Sequence, residues 1–436
     1  MIRLNASAPG FEADFAALLD QARETTARVD AVVREIIADV RARGDAALCE
    51  YTERFDGVAV APGGLRVSAA EIEAAAAGTA PELADALELA AERIEAFHRL
   101  QMPSDVATTD AAGVRLGMRW NALDAVGLYV PGGKAAYPSS VLMNAIPARV
   151  AGVGRIAMCV PCPAAAGAPG MGVLNPLVLA AARRAGVSEV YRVGGAQAVA
   201  ALAWGTATVA AVDRIVGPGN AYVAEAKRQV FGRVGIDGIA GPSEVVVIAD
   251  AANDARHVAV DLLAQAEHDE AAQSILITDD PGFADAVAAA VERELRALPR
   301  AAIAGASWRD HGAVIVVGGL DEAAALCDQL APEHLQLMVA DPEALFARIR
   351  HAGAAFLGRW CPEALGDYVA GPNHVLPTGR TARFASGLSV FDFLKRTTWV
   401  AADQAALSRI GPAAVALADA EGLGAHARSV ALRLGQ

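Results

Sequence analysis

The stretch Val-Gly-Leu-Tyr-Val-Pro-Gly-Gly at residues 126–133 is a short apolar run that ends in a glycine pair, and a helical pattern follows it. The same order returns where Val190–Val193 meets Gly194-Gly195, and where Arg214–Val216 meets Gly217-Pro-Gly-Asn220. A repeated strand, glycine turn and helix predict a parallel sheet with helices on both of its faces.

The pattern starts again near residue 240, so we predict two α/β units, at roughly 125–240 and 240–385. Helical periodicity marks residues 11–55 and 69–100, and we predict that the chain after about residue 388 is helical to its end. A short helical tail buries little on its own, so we expect it to pack elsewhere, for example on a partner subunit. The strands predicted in the second unit are Glu244–Ile248, Ser274–Thr278, Ala313–Val317, Leu335–Val339 and Ala354–Leu357.

The composition predicts a cytoplasmic protein and argues against several functions. The 436 residues carry a formal net charge of −13, which argues against nucleic acid as a main partner. No apolar run is long enough for a membrane span, and the N-terminus lacks the basic start and apolar block of a signal peptide. Five scattered cysteines fit a reducing compartment, and Cys159-x-x-Cys162 has no second pair, so we interpret these two as structural thiols.

The glycine turns are open to two interpretations. Backbone N–H groups at a strand-to-helix turn can hold a phosphate, but the same turns also serve simply to reverse the chain. No strand is followed by G-x-G-x-x-G, and Gly127–Lys134 lacks the Ser or Thr that a P-loop places after its lysine. A dinucleotide would therefore have to bind here without the usual fingerprint.

Two polar sites combine residue types that suit metal binding or proton transfer. Gln265 and His268 lie three apart at the end of a predicted helix, so they share a face and could hold one metal ion. The alternative is a polar last turn with an exposed histidine. Glu333 and His334 enter a predicted strand with opposite side-chain directions, so we expect each to face a different neighbour. They suit acid–base chemistry, or they form an exposed loop pair.

Two further polar segments lie nearer the C-terminus. Asp367, beside Gly366, could give a hard oxygen to a metal, or it could form an Asx turn in a loop. Glu421 and His426 could reach an active site, or they could belong to a surface tail.

The combination of motifs resembles the histidinol dehydrogenase family, in the family's order and over roughly residues 126–426. The matching segments, beside the three glycine turns, are Ala240-Gly-Pro-Ser-Glu244, Leu263-Ala-Gln-Ala-Glu-His268, Pro332-Glu-His-Leu335, Gly366-Asp-Tyr368, Asn373-His-Val-Leu-Pro-Thr378, Phe391-Asp-Phe-Leu-Lys-Arg396 and Glu421-Gly-Leu-x-Ala-His426.

The resemblance implies one Zn²⁺ per subunit, held by Gln265, His268, Asp367 and His426. It also implies that His426 crosses from the other subunit of an intertwined homodimer with shared active sites. The zinc would position the substrate and would not itself be the catalyst.

The resemblance further implies the other functional residues. His334 would be the general base for the alcohol proton, and Glu333 would activate the water that adds to the aldehyde. The substrate would be bound by Ser243, Glu421, His334 and the four zinc ligands. Tyr129, Gln197 and Asn220 would line the NAD site.

The implied fold is α/β, with two incomplete Rossmann-like parallel-sheet domains and small helical N- and C-terminal segments. We predict an N-terminal segment at 1–24, a first α/β domain at 25–128 and 242–388, an NAD-binding domain at 129–241, and a tail at 389–436 that reaches the partner subunit. The implied reaction is the NAD-dependent oxidation of L-histidinol, through L-histidinaldehyde, to L-histidine. The alternatives are a related dehydrogenase of another polar alcohol, such as a sulfonated diol, and a non-catalytic metal- or nucleotide-binding protein.

Overall fold

The computed structural model describes residues 1–21, 27–132, 137–165, 168–239 and 241–436. Gly133 of the first glycine turn, Ala240 and the predicted boundary between residues 24 and 25 lie outside these ranges. The strands are β1 (Ile2–Asn5), β2 (Val106–Thr109), β3 (Arg115–Ala122), β4 (Ala125–Tyr129), β5 (Arg155–Cys159), β6 (Ala164–Ala165), β7 (Ala168–Gly172), β8 (Glu189–Tyr191), β9 (Arg214–Val216), β10 (Gly235–Ile236), β11 (Glu244–Ala249), β12 (Gln273–Thr278), β13 (Ala313–Val316), β14 (His334–Met338), β15 (Ala354–Leu357) and β16 (Leu394–Ala401).

Helices separate most of these strands, and none in the described ranges is both long and apolar enough to cross a bilayer. The helices are α1 (Phe11–Leu19), α2 (Ala27–Arg43), α3 (Asp45–Asp56), α4 (Ala69–Ala77), α5 (Pro81–Arg99), α6 (Pro138–Ala151), α7 (Pro176–Ala185), α8 (Gly195–Trp204), α9 (Ala221–Val230), α10 (Ala255–Ala266), α11 (Pro281–Glu294), α12 (Ala301–His311), α13 (Leu320–Leu330), α14 (Pro342–Phe346), α15 (Glu363–Tyr368), α16 (Gln404–Ala420) and α17 (Gly424–Ala431).

The two predicted parallel sheets are confirmed. One has six strands in the order β1-β13-β12-β11-β14-β15, and the other has five in the order β10-β9-β4-β5-β8; every pairing in both is parallel. Each has an apolar cluster on each face, which is expected for a parallel sheet covered by helices.

The expectation of wholly helical ends is wrong at two places. The chain begins with β1, which extends the six-stranded sheet beside β13, and β16 in the C-terminal segment pairs with β3 in a separate antiparallel sheet with β2. Both strands lie at sheet edges and are short or half-exposed, so they lack the buried apolar run that marks the central strands.

The packing bears on the domain boundaries, which stay a prediction. Val33 and Val40 of α2 share an apolar cluster with Val199 and Leu202 of α8, on one face of the five-stranded sheet. This contact favours grouping α2 with the five-stranded sheet rather than with residues 242–388.

The path of the chain in the six-stranded sheet sets where the polar residues meet. α10 joins β11 to the parallel strand β12, so it runs back along the sheet and its last turn lies at the amino edge. α15 follows β15, and the 3.9 Å between Asp367 Oδ2 and His268 Nε2 places the end of this helix at the same edge. Glu244 and His334 begin two neighbouring strands at this same edge, where His334 is paired with Val245.

Candidate active site

Glu333 and His334 are both anchored to the backbone of Glu244. The Glu244 N–H donates to Oε2 of Glu333 at 3.0 Å, and His334 Nδ1 lies 3.0 Å from the Glu244 carbonyl oxygen. Both side chains are buried, so the exposed-loop interpretation is wrong. The expectation that each faces a different neighbour is also wrong. Both side chains contact the same residue of the neighbouring strand β11, Glu333 at the Glu244 N–H and His334 at the Glu244 carbonyl oxygen.

The contact with Glu244 fixes the protonation of the His334 ring. A carbonyl oxygen can only accept, so Nδ1 carries the proton and Nε2 has a free lone pair in the neutral ring. Burial lowers the pKa of His334 to about 4, so the imidazole is neutral near pH 7. His334 thus presents a neutral nitrogen base at Nε2.

The Glu333 carboxyl is enclosed by the same strands. Its Oε2 lies 3.7 Å from His334 Nδ1, which is longer than a hydrogen bond. Burial raises the pKa of Glu333 well above its usual value, and the Glu244 N–H partly opposes that shift. A carboxyl with a raised pKa is a stronger base when ionised, as water activation requires.

Three of the four predicted zinc ligands lie at the ends of α10 and α15. His268 Nε2 is 3.9 Å from Asp367 Oδ2, less than the roughly 4 Å that two ligands at ordinary zinc distances can span across one ion. Gln265 is fully buried, and neither atom of its amide has a hydrogen-bond partner among the described residues. Because a buried unpaired amide is costly, these donors fit a hard or borderline cation. Asp367 lies on α15, which rules out the loop Asx turn.

A single chain does not bring the C-terminal pair to this cluster. Glu421 is the C-cap of α16 and His426 lies on α17, and both are exposed. These two helices pack mainly on each other, and only Ala406, Gly411 and Ala427 are buried within them.

The structure adds two groups to which the sequence assigned no role, the buried Glu363 and the partly buried His374. Oε1 of Glu363 lies 3.7 Å from His334 Nε2, and burial, followed by the charge of Asp367, raises the pKa of Glu363. His374 Nδ1 lies 3.1 Å from the Asp367 carbonyl oxygen, and burial lowers the pKa of His374. Glu363 precedes Asp367 by one helical turn, and this spacing could have indicated that the two side chains lie on one face of a helix. His374 reaches Asp367 from a loop, and no periodicity in the sequence predicts where a loop residue lies.

Asp367 belongs to two groups that could each hold a cation. Atoms of His334, Glu363 and Asp367 all lie within 4.8 Å of one another, and this second group lacks His268 and Gln265. In the group with Glu363, His334 would be a metal ligand. In the group with Gln265 and His268, His334 would stay free to act as a base.

The three predicted NAD residues lie together at the carboxyl edge of the five-stranded sheet. Tyr129 ends β4, Gln197 lies in the first turn of α8 after β8, and Asn220 follows β9. The Gly195 N–H donates to Tyr129 Oη at 3.1 Å, and burial raises the pKa of this phenol to about 12. Gln197 is buried, and exposed Asn220 caps α9 by accepting from the N–H groups of Tyr222 and Val223.

The strand order makes this edge a natural ligand site. The chain moves from β4 outward through β5 and β8, then returns to the other side of β4 with β9, so β4 and β9 flank the point where the order reverses. Gly217 has φ of +112°, and a Cβ there would lie 2.1 Å from the Tyr129 carbonyl oxygen. Only glycine lets the two loops approach this closely.

The two edges face each other across the site. Ser140, in the first turn of α6 above the five-stranded sheet, has its Oγ 3.5 Å from His374 Nε2, and His374 in turn contacts Asp367. Ser243 lies immediately before β11, next to the Glu244 backbone, and is partly exposed. A small molecule between the edges would have a base on one side and backbone turns on the other.

Comparison with known proteins gives the family of this chain. The sequence profile of a family described as histidinol dehydrogenase matches residues 19–434. A histidinol dehydrogenase of Gluconobacter oxydans is 66% identical over 434 residues, covering 100% of this chain and 99% of the relative. One of Rhodospirillum rubrum is 64% identical, covering 99% and 98%. The crystal structure of histidinol dehydrogenase from Elizabethkingia anophelis superposes with a TM-score of 0.94 at 36% identity, covering 100% and 98%. The chain belongs to the histidinol dehydrogenase family.

Proposed function

We propose that this chain oxidises L-histidinol to L-histidine, through L-histidinaldehyde, in the final steps of histidine biosynthesis. The observation that carries the proposal is the buried neutral base at His334 Nε2, held beside the His268–Asp367 cluster and opposite the glycine turns. Each of the two oxidations transfers a hydride from the substrate carbon to NAD.

We assign the zinc ligands as Gln265, His268, Asp367 and His426 of the partner subunit. The orphaned Gln265 amide and the 3.9 Å His268–Asp367 spacing support the three ligands from one chain. When bound, the ion supplies an electropositive anchor for the amine and imidazole nitrogens of the substrate. The same side chains thereby contact the substrate, together with Ser243 and the partner subunit's Glu421.

His334 and Glu333 divide the proton transfers. In the first oxidation, His334 Nε2 takes the hydroxyl proton as the carbon loses a hydride, which leaves the aldehyde. In the second, Glu333 takes a proton from water while the water oxygen bonds to the aldehyde carbon. The resulting hydrate then loses a hydride to the second NAD⁺ and gives the carboxylate. The sum is one alcohol, one water and two NAD⁺ giving one carboxylate, two NADH and three protons. Both groups keep their alignment because the Glu244 backbone holds them.

We assign NAD to the carboxyl edge of the five-stranded sheet. Tyr129, Gln197 and Asn220 line the point where strand order reverses, and the N-terminal ends of α8 and α9 face that point. Helix N-termini favour an anionic pyrophosphate even without the glycine fingerprint.

The C-terminal arm, β16 to α17, supports a homodimer with shared sites. The arm exposes Val400, Ile410, Leu417 and Leu423, apolar side chains that a second copy would cover. His426 and Glu421 lie on this arm, so a partner seated there would bring both to the other subunit's zinc cluster. We also place the enzyme in the cytoplasm.

The test is the NADH yield with L-histidinol as the limiting substrate. We expect two NADH per histidinol, with activity lost after dialysis against a chelator and regained with Zn²⁺. A sulfonated diol is the control substrate and should give no comparable rate. One NADH per histidinol would contradict the second oxidation, and none with any alcohol would favour a binding protein.

A further inference from the structure

Gln336 lies at the centre of the zinc-binding helices, although no step of the proposed reaction uses it. It is fully buried on β14, two residues after His334, so both side chains point to the same face of the strand. Its amide has both a donor and an acceptor, and each binds a different helix.

The donor side of the amide binds α10. Gln336 Nε2 donates to Oδ2 of Asp261 at 2.6 Å. Asp261 lies one turn before Gln265 on that helix, so this bond fixes how far the last turn of α10 lies from β14. The position of that turn sets the positions of Gln265 and His268.

The acceptor side of the amide binds α15. The Glu363 N–H donates to Gln336 Oε1 at 3.2 Å, and Glu363 is the first residue of the helix. Pro362 at the N-cap has no polar side chain, so Gln336 satisfies an N–H that a capping residue would otherwise bind. Asp367 follows one turn later.

We propose that Gln336 is a positioning residue that sets the spacing between the ligands on α10 and the ligand on α15. One planar amide joins the two helices through Asp261 and Glu363, and the helices place His268 and Asp367 at 3.9 Å. Groups that orient metal ligands from behind commonly alter metal affinity by about 10- to 100-fold when removed. This inference rests on the zinc site proposed above.

The test is zinc binding to the full-length apo protein, measured by competition with a fluorescent zinc indicator. Gln336→Met keeps the length of the side chain and removes both hydrogen bonds, so we expect the zinc Kd to rise about 10- to 100-fold. The NAD Kd should stay unchanged, because NAD is assigned to the other sheet. Gln273→Met is the matched control: Gln273 is also a buried glutamine of the same sheet, but its Nε2 binds nothing in the described part of the chain.

A pair of charge-swapping variants separates positioning from folding. Gln336→Glu places a carboxylate against Asp261 and should weaken zinc binding, whereas Asp261→Asn can still accept from Gln336 and should not. In the double variant Asp261→Asn, Gln336→Glu, donor and acceptor are exchanged, and we expect most of the affinity to return. Unchanged affinity in Gln336→Met, or no recovery in the double variant, would overturn the inference. Absence of zinc binding by the unsubstituted protein would instead contradict the proposed metal site.

Discussion

The two parallel sheets contribute their opposite edges to one site. The five-stranded sheet offers its carboxyl edge, where glycine turns lead into the N-termini of α8 and α9. The six-stranded sheet offers its amino edge, where His334 and Glu244 begin their strands and α10 ends. The first edge presents the positive ends of helix dipoles and backbone N–H groups, which suit an anion. The second presents the negative end of α10 beside carboxylate and imidazole side chains, which suits a cation and a proton acceptor.

This difference explains why ligand sites in α/β proteins are usually sought at the carboxyl edge alone. At the amino edge, helix α10 directs its C-terminus and not its N-terminus at the site, so ligand binding there depends on individual side chains. We therefore expect substitutions at the six-stranded sheet to act on proton transfer or metal binding, and those at the five-stranded sheet to act on NAD.

The largest effect is expected at the base. His334→Asn can still donate to the Glu244 carbonyl but offers no basic nitrogen, so turnover should fall about 10²- to 10⁴-fold. Zinc content, measured by atomic absorption, should stay at one per chain. Loss of zinc together with turnover would show that His334 is a ligand, as in the His334–Glu363–Asp367 group.

A smaller effect is expected at the glycine turn. Gly217→Ala would place a methyl group 2.1 Å from the Tyr129 carbonyl oxygen at a positive φ, so the loop must shift. Strain of this kind costs roughly 1–3 kcal/mol. We expect the KM for NAD to rise about tenfold while zinc affinity is unchanged. The control is Gly238→Ala, since a Cβ there meets nothing within 4 Å. An equal rise in both variants would remove the special role of Gly217.

A twofold effect tests whether the amino edge is completed by a second chain. Co-expression of His334→Asn with His426→Ala, followed by purification of the mixed dimer through two different tags, should give about half the activity of the unsubstituted dimer. In that dimer one site carries both substitutions and the other carries neither. If His426 instead served its own subunit, each site would carry one substitution and the mixed dimer would be inactive.

The smallest effect concerns the junction between the sheets. His98 Nδ1 lies 2.7 Å from the Ile94 carbonyl oxygen, so the neutral ring accepts at Nε2, 3.4 Å from Asn373 Nδ2, and Asn373 immediately precedes His374. Burial lowers the pKa of His98 in the folded protein. The unfolded chain then binds more protons below its ordinary histidine pKa, so the stability that His98 contributes above about pH 6.5 is lost as the pH falls towards its folded pKa.

The thermal midpoint of the unsubstituted protein should therefore fall more between pH 7.5 and 5.5 than that of His98→Gln. His351→Gln is the control, because His351 lies away from this junction on the loop after α14. If His98→Gln shows the same pH dependence as the unsubstituted protein, His98 does not carry this effect.

The two edges also differ in how far the sequence predicts them. The strands and glycine turns of both sheets follow from apolar runs and turn chemistry, and eight strands of the two sheets lie where the sequence predicts them, to within two residues. The residues at the amino edge came from the family resemblance, because no local pattern distinguishes His334 from an exposed loop histidine. The anchoring of Glu333 and His334 to Glu244 depends on strand register across 90 residues, and His374 depends on a loop. These are tertiary contacts that local sequence does not encode.

The central claim is that a cation binds at the amino edge of the six-stranded sheet. Crystals grown with Zn²⁺ and measured on both sides of the zinc absorption edge would locate the ion directly. We predict one anomalous peak per chain, about 2.0–2.2 Å from Gln265, His268, Asp367 and His426 of the partner subunit. A peak bound by His334 and Glu363, or one at the carboxyl edge of the five-stranded sheet, would contradict the account.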